Sequence, residues 1–198
     1  MLRRHLFMLA SVIGFMLAAA SADAANPLVD LDTTAGKIRL ELVPDAAPRT
    51  VENFLAYVKA KHYDGTQFHR VIAGFMIQGG GYGADFSEKS TRAPIRNEAE
   101  QSSKAGLLNV PGTIAMARTS EPNSATAQFF INVGDNKFLN FRDSSPAGIG
   151  YTVFGKVIDG MDVVNKIAKA PTAAGGSFPK DVPIERVLIK SATVVGAP

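Results

Sequence analysis

The sequence contains no cysteine, no tryptophan and only three histidines among its 198 residues. The lack of cysteine excludes disulfides, thiolate metal sites and a lipid-modified cysteine near the N-terminus. The zinc-peptidase pattern HExxH and the serine-hydrolase elbow GxSxG are also missing. A serine and a histidine could still meet in the folded chain, but no sequence pattern points to such a pair.

Charge of one sign is not concentrated along the chain. Lys and Arg number 21 against 18 Asp and Glu, so the formal net charge is only +3 although the pI is about 9.2. The basic residues form no long run and do not alternate with aromatic residues, as they do in many nucleic-acid-binding segments. The sequence therefore indicates a scattered, solvated charge distribution and no nucleic-acid partner.

A long apolar run is found only at the N-terminus. An RR pair at residues 3–4 precedes an apolar run over residues 6–20, and the tripeptide ADA follows at 22–24. This order is typical of a secretory signal with an A-x-A cleavage site, and the run is shorter than the ~20 residues that a spanning helix needs. We predict that residues 1–24 are a cleaved export signal and residues 25–198 a single domain without a stable membrane anchor. An uncleaved signal anchor is the alternative.

One glycine-rich segment resembles a cofactor motif. Residues 79–84 read GGGYGA, which contains the G-x-G-x-x-A spacing of dinucleotide-binding turns. Such a turn must open a helix, but residues 85–94 are polar, have no 3.6-residue apolar period and end in proline. We interpret residues 85–94 as a flexible loop, so no dinucleotide cofactor is expected.

The rest of the chain is predicted to consist mainly of short strands. Apolar residues spaced by three and four indicate one amphipathic helix over residues 47–60, and a second helix fits residues 161–169. Alternating or short apolar runs predict eight strands, at residues 28–33, 37–43, 66–72, 75–80, 112–117, 128–133, 152–157 and 184–195. Strands at this density, joined by turns with glycine and proline, favour a β-sandwich or a closed β-barrel.

Polar side chains interrupt the apolar runs of two of these strands. In FHRVIAGFMIQGG (residues 68–80), Arg70 and Gln78 lie among aromatic and aliphatic residues, where burial without a partner would be costly. Strand alternation puts Met76 and Gln78 on one face of the predicted strand at residues 75–80. It likewise puts Gln128 and Phe130 on one face of the predicted strand at residues 128–133. Apolar residues beside amides are typical of a small ligand pocket. The simpler alternative is that loops cover Met76 and Phe130.

Four motifs together resemble the cyclophilin family. They are FHRVIAGFMIQGG at residues 68–80, GTIAMAR at 112–118, SATAQFFINV at 124–133 and VFGKVIDGMDVV at 153–164. The similarity extends from about residue 28 to the end of the chain. It is strongest to the exported bacterial members, in which the segment after IQGG is short and leads into a sequence like PIRNEA. The resemblance implies a mainly β fold, a closed eight-stranded antiparallel barrel capped by two α-helices. It also implies that the protein is located in the periplasm.

The resemblance also implies an activity, peptidyl-prolyl cis-trans isomerisation, without cofactor or metal. Arg70 matches the family's catalytic arginine and Gln78 the glutamine that holds it. Four residues match the walls of the proline pocket: Phe75, Met76, Phe130 and Leu139. Gln128 matches a polar neighbour of the pocket. Three residues match the strip whose backbone pairs with the substrate: Ala117, Arg118 and Thr119.

The chain departs from the best-known eukaryotic cyclophilins at the pocket rim. Phe138 stands where those proteins have a tryptophan, Tyr151 where they have a histidine, and Arg118 where they have an asparagine. Weak cyclosporin binding is expected because the indole is missing. The insert at residues 141–150 cannot be aligned. His69 adjoins Arg70, but alternation predicts that it faces away and serves a structural role.

The expected partners are polypeptides that contain Xaa-Pro bonds, namely unfolded or partly folded exported proteins, and the expected oligomeric state is a monomer. The alternative function is a non-catalytic module that holds proline-containing segments in the same pocket.

Overall fold

The computed structural model describes residues 25–196. The predicted export signal lies outside these described residues. Within them the chain forms three α-helices, α1 (Pro48–Lys59), α2 (Ala99–Lys104) and α3 (Met161–Ala168), and one 3₁₀ turn (Lys137–Leu139). The strands are β1 (Leu28–Thr33), β2 (Lys37–Leu42), β3 (Thr66–Ile72), β4 (Met76–Gly83), β5 (Thr113–Met116), β6 (Phe129–Asn132), β7 (Val153–Asp159), β8 (Thr172–Gly175), β9 (Phe178–Pro183) and β10 (Ile189–Val194).

Eight of the strands form a nearly closed antiparallel barrel. They are hydrogen-bonded in the order β10-β1-β2-β7-β5-β6-β4-β3. The two edge strands meet where the amides of Gly65 and Phe68 donate to the carbonyls of Ile189 (2.8 Å) and Val187 (2.9 Å). The predicted barrel of eight antiparallel strands is therefore confirmed, with a seam of a few hydrogen bonds between β3 and the chain entering β10.

Aliphatic and aromatic side chains fill the barrel interior. Phe129 on β6 contacts Phe54, Tyr63 and Phe68 edge-on, with ring centroids 5.5–6.1 Å apart. Edge-on pairs add favourable quadrupole interactions to the burial of large apolar area. Helices α1 and α3 contribute the apolar side chains of their inner faces to the same core. The interior is packed with side chains and is not a ligand channel.

The helix count differs from the prediction, because α2 was not expected. This helix has the sequence AEQSSK, whose six residues provide no apolar period. The segment just before it is anchored by Glu98, a buried residue whose carboxylate accepts hydrogen bonds from the amides of Arg49 (3.1 Å) and Thr50 (2.8 Å) at the start of α1. A carboxylate at a helix N-terminus satisfies free backbone N–H groups. This long-range contact, which no local pattern reveals, caps the start of α1 and anchors the residue that precedes α2.

A two-stranded hairpin outside the barrel was also not predicted. Strands β8 and β9 pair with each other and β9 packs on β3, so the closing barrel strand begins at Ile189, five residues later than expected. The segment at residues 85–94 has no helix, in agreement with the loop interpretation, and forms a single bridge between Tyr82 and Glu88.

Among the described residues, no helix is both long and apolar enough for a membrane span.

Candidate active site

A β-bulge directs Arg70 to the outside of the barrel. Phe68 pairs with Gly79 and Arg70 pairs with Gln78. These two pairs are two residues apart on β3 but only one residue apart on β4, so β3 contains one extra residue. Phe68 and Val71 both enter the barrel core, whereas Arg70 is solvent-exposed. Simple alternation would place Phe68 and Arg70 on the same face. The extra residue at the bulge changes the alternation and turns the guanidinium outward.

The outer face of β4, β5 and β6 carries an apolar pocket next to Arg70. Met76, Ala115, Phe130 and Val153 form a buried cluster separate from the barrel core. Above this cluster is a pocket of about 160 Å³ lined by Arg70, Phe75, Met76, Gln78, Ala117, Arg118, Phe130, Leu139 and Tyr151. All nine were predicted as site residues. Five separate segments of the sequence therefore meet at one small pocket with an apolar floor and a basic edge.

Arg70 and Gln78 occupy cross-strand positions, but no hydrogen bond joins their side chains in the described part of the chain. Instead the Gln78 amide donates to Oε1 of Gln128 (3.0 Å). A side chain on Gly81 would place its Cβ 2.6 Å from Gln128, so glycine is needed there for Gln128 to lie against β4. Arg70 also forms no ion pair within residues 25–196, which leaves its five N–H donors available to a ligand.

The second arginine of the pocket is held differently. Nε of Arg118 donates to the carbonyl of Gly150 (3.1 Å) and one terminal nitrogen to that of Thr119 (2.8 Å). Its guanidinium lies 4.5 Å from the centroid of the Tyr151 ring, within cation–π range. Tyr151 in turn contacts Phe130 edge-on. Arg118 therefore supports the pocket wall, whereas Arg70 is free to contact a substrate.

Three predicted residues lie beside the pocket and not in its lining. Phe138 is 65% exposed and stacks on Phe75, with centroids 5.7 Å apart, so it forms an aromatic ledge at the rim. Thr119 and Gln128 line an adjoining cleft of about 230 Å³. That cleft also contains three residues that sequence reasoning missed: Glu88, Ser124 and Thr126. Ser124 and Thr126 lie in the motif at residues 124–133 but are small polar residues outside its apolar alternation, and Glu88 lies in a polar loop, so none of the three was singled out.

Two wider clefts, of about 510 and 580 Å³, lie beside α1. They share Arg49 and Arg96 and are lined mainly by charged and amide side chains. Volume alone does not identify a binding site, since a ligand pocket combines an apolar floor with a few polar groups. The smaller pocket beside Arg70 has that combination. Among the described residues, no cluster of His, Asp or Glu is arranged to hold a metal ion.

His69 is buried under the hairpin and does not line the pocket. Its ring contacts Phe178 of β9 (5.2 Å) and Tyr82 (4.7 Å between centroids), and it is 1% exposed. Burial is the main cause that lowers the pKa of His69 to about 4. The positive charge of Arg70 acts in the same direction. Its Nδ1 has no hydrogen-bond partner within residues 25–196. His69 is therefore a neutral structural side chain at pH 7.

The free energy of unfolding is expected to fall as the pH decreases from 6.5 toward 4. The unfolded chain binds a proton on His69 near pH 6.5, whereas the folded chain resists protonation until about pH 4. Folding therefore becomes less favourable by at most ~1.4 kcal/mol per pH unit, about 3 kcal/mol in total. Burial also lowers the pKa of His62, which acts in the same direction. Urea unfolding at several pH values measures this slope.

The matched control is the His69→Phe variant, which keeps an aromatic ring between Tyr82 and Phe178 but cannot be protonated. We expect its unfolding free energy to depend less on pH over the same interval. An unchanged slope would show that His69 is not the group responsible.

The comparison with protein families decides which family this fold belongs to. The family described as "Cyclophilin type peptidyl-prolyl cis-trans isomerase/CLD" matches residues 28–194, which is most of the chain. The chain belongs to the cyclophilin family. Peptidyl-prolyl cis-trans isomerisation is therefore the activity that it shares with its bacterial relatives, and the resemblance found in the sequence is confirmed.

Several relatives of this cyclophilin are similar over nearly their full length. The peptidyl-prolyl cis-trans isomerase cyp18 of Streptomyces antibioticus is 56% identical and covers 85% of this chain and 98% of its own length. The isomerase B of Escherichia coli is 53% identical, with coverages of 84% and 99%. Among solved structures, a Cryptosporidium parvum cyclophilin has a TM-score of 0.67 at 27% identity, with coverages of 87% and 99%. A further structure of that protein, in the presence of the dipeptide Ala-Pro, has a TM-score of 0.65 at 28% identity, with coverages of 84% and 98%.

Proposed function

We propose that this cyclophilin assists the folding of exported proteins, and that Arg70 stabilises the twisted Xaa-Pro bond. The observation that carries the proposal is the exposed guanidinium of Arg70, which makes no ion pair within residues 25–196 and lies at the edge of a small apolar pocket. Gln78 and Gln128 would place their side-chain amides beside this guanidinium, and the apolar floor of the pocket would hold the proline ring. Residues 117–119, which continue from β5 along the pocket edge, would present backbone groups to the peptide.

Peptide-bond resonance explains why an arginine is needed. The prolyl nitrogen shares its lone pair with the carbonyl, and this creates a rotational barrier of ~18–20 kcal/mol. Exchange without a catalyst therefore takes about tens to hundreds of seconds. Twisting the bond makes the nitrogen pyramidal and leaves it with a free lone pair, which accepts a hydrogen bond only near the transition state. A donor aimed at this nitrogen lowers the barrier by binding the transition state more tightly than the ground state.

No covalent intermediate is required by this chemistry. The pocket fixes the proline ring while the residue before it rotates, and no bond is made or broken. A reduction of the barrier by ~7 kcal/mol corresponds to an acceleration of about 10⁵. Histidine is unsuited to the donor role here, because the one beside Arg70 is buried, neutral and outside the pocket.

The proposal for the cellular role rests on the N-terminal sequence. Residues 1–24 would direct export and be removed, so that residues 25–198 act in the periplasm as a monomeric single domain on unfolded chains that contain Xaa-Pro bonds. A mass matching a chain that starts near Ala25, measured on protein from the periplasmic fraction, checks the processing step.

The experiment that tests the proposed function separates catalysis from holding. Protein that starts at Ala25 is mixed with an Ala-Pro peptide, and NMR measures both the binding of the peptide and its cis/trans exchange rate. Exchange well above the spontaneous rate at substoichiometric protein supports the isomerase. Binding without faster exchange contradicts it and favours the holding module. Peptide binding that weakens steeply with salt would instead indicate a mainly electrostatic partner.

Cyclosporin is expected to inhibit this protein weakly, because Phe138 provides a smaller rim than an indole. Replacing Phe138 by tryptophan adds area and an N–H donor, and we expect inhibition to become about tenfold tighter. Ile184→Trp is the control, since Ile184 is also 65% exposed but does not line the pocket. Inhibition constants from the exchange assay measure both effects, and equal constants for native protein and Phe138→Trp would contradict the assignment.

A further inference from the structure

Four asparagines form a connected group behind the pocket, which we call the asparagine relay: Asn109, Asn132, Asn136 and Asn140. The first three are 1%, 0% and 3% exposed, and the fourth is half-buried. Burying an amide is costly unless its donors and acceptors all find partners. A barrel that needed only stability could place apolar side chains there, so the amides require an explanation.

The hydrogen bonds of the relay run in one direction. Nδ2 of Asn136 donates to Oδ1 of Asn132 (2.7 Å), and Nδ2 of Asn132 donates to Oδ1 of Asn109 (3.2 Å) and to Oγ1 of Thr113 (3.0 Å). Nδ2 of Asn109 then donates to Oδ1 of Asn140 (3.1 Å). Only a side chain with both a donor and an acceptor can continue such a chain, and an asparagine at each position provides both.

Two members of the relay, Asn136 at its start and Asn109 further along, hold backbone atoms of pocket residues. The Nδ2 group of Asn136 also donates to the carbonyl of Phe75 (2.9 Å). The Nδ2 group of Asn109 donates to the carbonyls of Leu139 (3.2 Å) and, at longer range, Tyr151 (3.4 Å). Phe75, Leu139 and Tyr151 are three walls of the pocket. The relay therefore connects three walls of the pocket that come from separate parts of the sequence.

The carbonyl of Phe75 shows how firmly the pocket wall is held. It accepts from the amides of Val133 (2.9 Å) and Gly134 (3.2 Å) in addition to the side chain of Asn136. Glycine at 134 is required by the same close approach, because a Cβ there would lie 2.0 Å from the carbonyl oxygen of Gly74. Well-satisfied buried networks of this kind hold their members in one arrangement.

We propose that the asparagine relay positions the apolar walls of the pocket around the proline ring. Asn109 and Asn136 are the positioning residues, and they act through Phe75, Leu139 and Tyr151 without contacting the substrate. This inference rests on the proposed use of the pocket for proline. A pocket wall grips the ring in the ground state and in the transition state alike, so its loss weakens binding more than turnover.

The variant Asn136→Ala tests the relay by removing the donor to Phe75 and the link to Asn132. We expect KM for an Ala-Pro peptide to rise by about tenfold while kcat changes by less than about twofold. Amide hydrogen exchange of Val133 and Gly134 should become faster at the same time. The fold control is Thr66→Val, which removes a buried hydroxyl whose one hydrogen bond within residues 25–196 is donated to the carbonyl of Tyr63. It should lower stability without raising KM.

Two results would overturn the proposal. One is an unchanged KM per folded molecule in Asn136→Ala, which would make the relay merely structural. The other is fast exchange with solvent of the Asn109 and Asn136 side-chain NH₂ protons in native protein, which would show that their hydrogen bonds do not hold the pocket walls. This measurement uses native protein, so it decides the question even if the variant does not fold. Failure of the proposed function is seen separately, as native protein that leaves exchange at the spontaneous rate.

Discussion

The Arg70→Ala variant is expected to lower kcat/KM for an Ala-Pro peptide by about 10²–10³, the effect typical of removing one transition-state donor. The loss should fall mainly on kcat, because the prolyl nitrogen accepts the hydrogen bond only when the bond is twisted. The fold should be intact, since Arg70 is exposed and makes no ion pair within residues 25–196. NMR exchange rates and peptide affinity measure the two contributions separately.

The conservative variant Arg70→Lys is the matched comparison. Lysine keeps the positive charge but replaces the planar fork by a flexible ammonium group, so a directional hydrogen bond is harder to maintain. We expect an exchange rate between those of native protein and the alanine variant. An alanine variant as active as native protein would contradict the role of Arg70, and a lysine variant as active as native protein would show that charge alone is sufficient.

The Phe129→Ala variant is expected to destabilise the protein by about 3–5 kcal/mol, the usual range for truncating a buried phenylalanine. Phe129 is fully buried and contacts the rings of Phe54, Tyr63 and Phe68. Its removal leaves a cavity at the centre of the barrel, where the packed strands restrict collapse of the neighbours. The midpoint of thermal unfolding should decrease by roughly 10 °C for a domain of this size.

Phe138→Ala is the stability control, because Phe138 is the same residue type but is 65% exposed. Its unfolding free energy should change by less than about 0.5 kcal/mol. Denaturant titrations of both variants provide the comparison. Equal losses in the two variants would contradict the assignment of Phe129 to the barrel centre.

The barrel strands could be predicted because their sequences alternate or form short apolar runs. Both β1 and β3 were predicted with their observed ends, and α1 was predicted to within one residue at each end. Helix α2 and the β8–β9 hairpin were missed, because their composition is polar or rich in Gly and Pro and they depend on tertiary contacts. Local patterns carry no information about such contacts.

The candidate site could be predicted through the resemblance more fully than from the residues alone. Alternation correctly grouped Met76 with Gln78 and Gln128 with Phe130, but it could not show the bulge that turns Arg70 outward. That bulge is an extra residue whose position depends on the pairing of β3 with β4. The link between Asn109 and Asn136 was likewise hidden, since it joins loops 27 residues apart, each with no strand or helix period of its own.

The barrel interior is filled by aliphatic and aromatic side chains, and the pocket beside Arg70 lies on the outer wall. A client protein therefore has no tunnel to thread and no chain end to present. A proline in the middle of a long polypeptide, or on a protruding loop of a nearly folded one, can reach the pocket as easily as one in a short peptide. Client size is then limited only by how far the segment around the proline projects from its own protein.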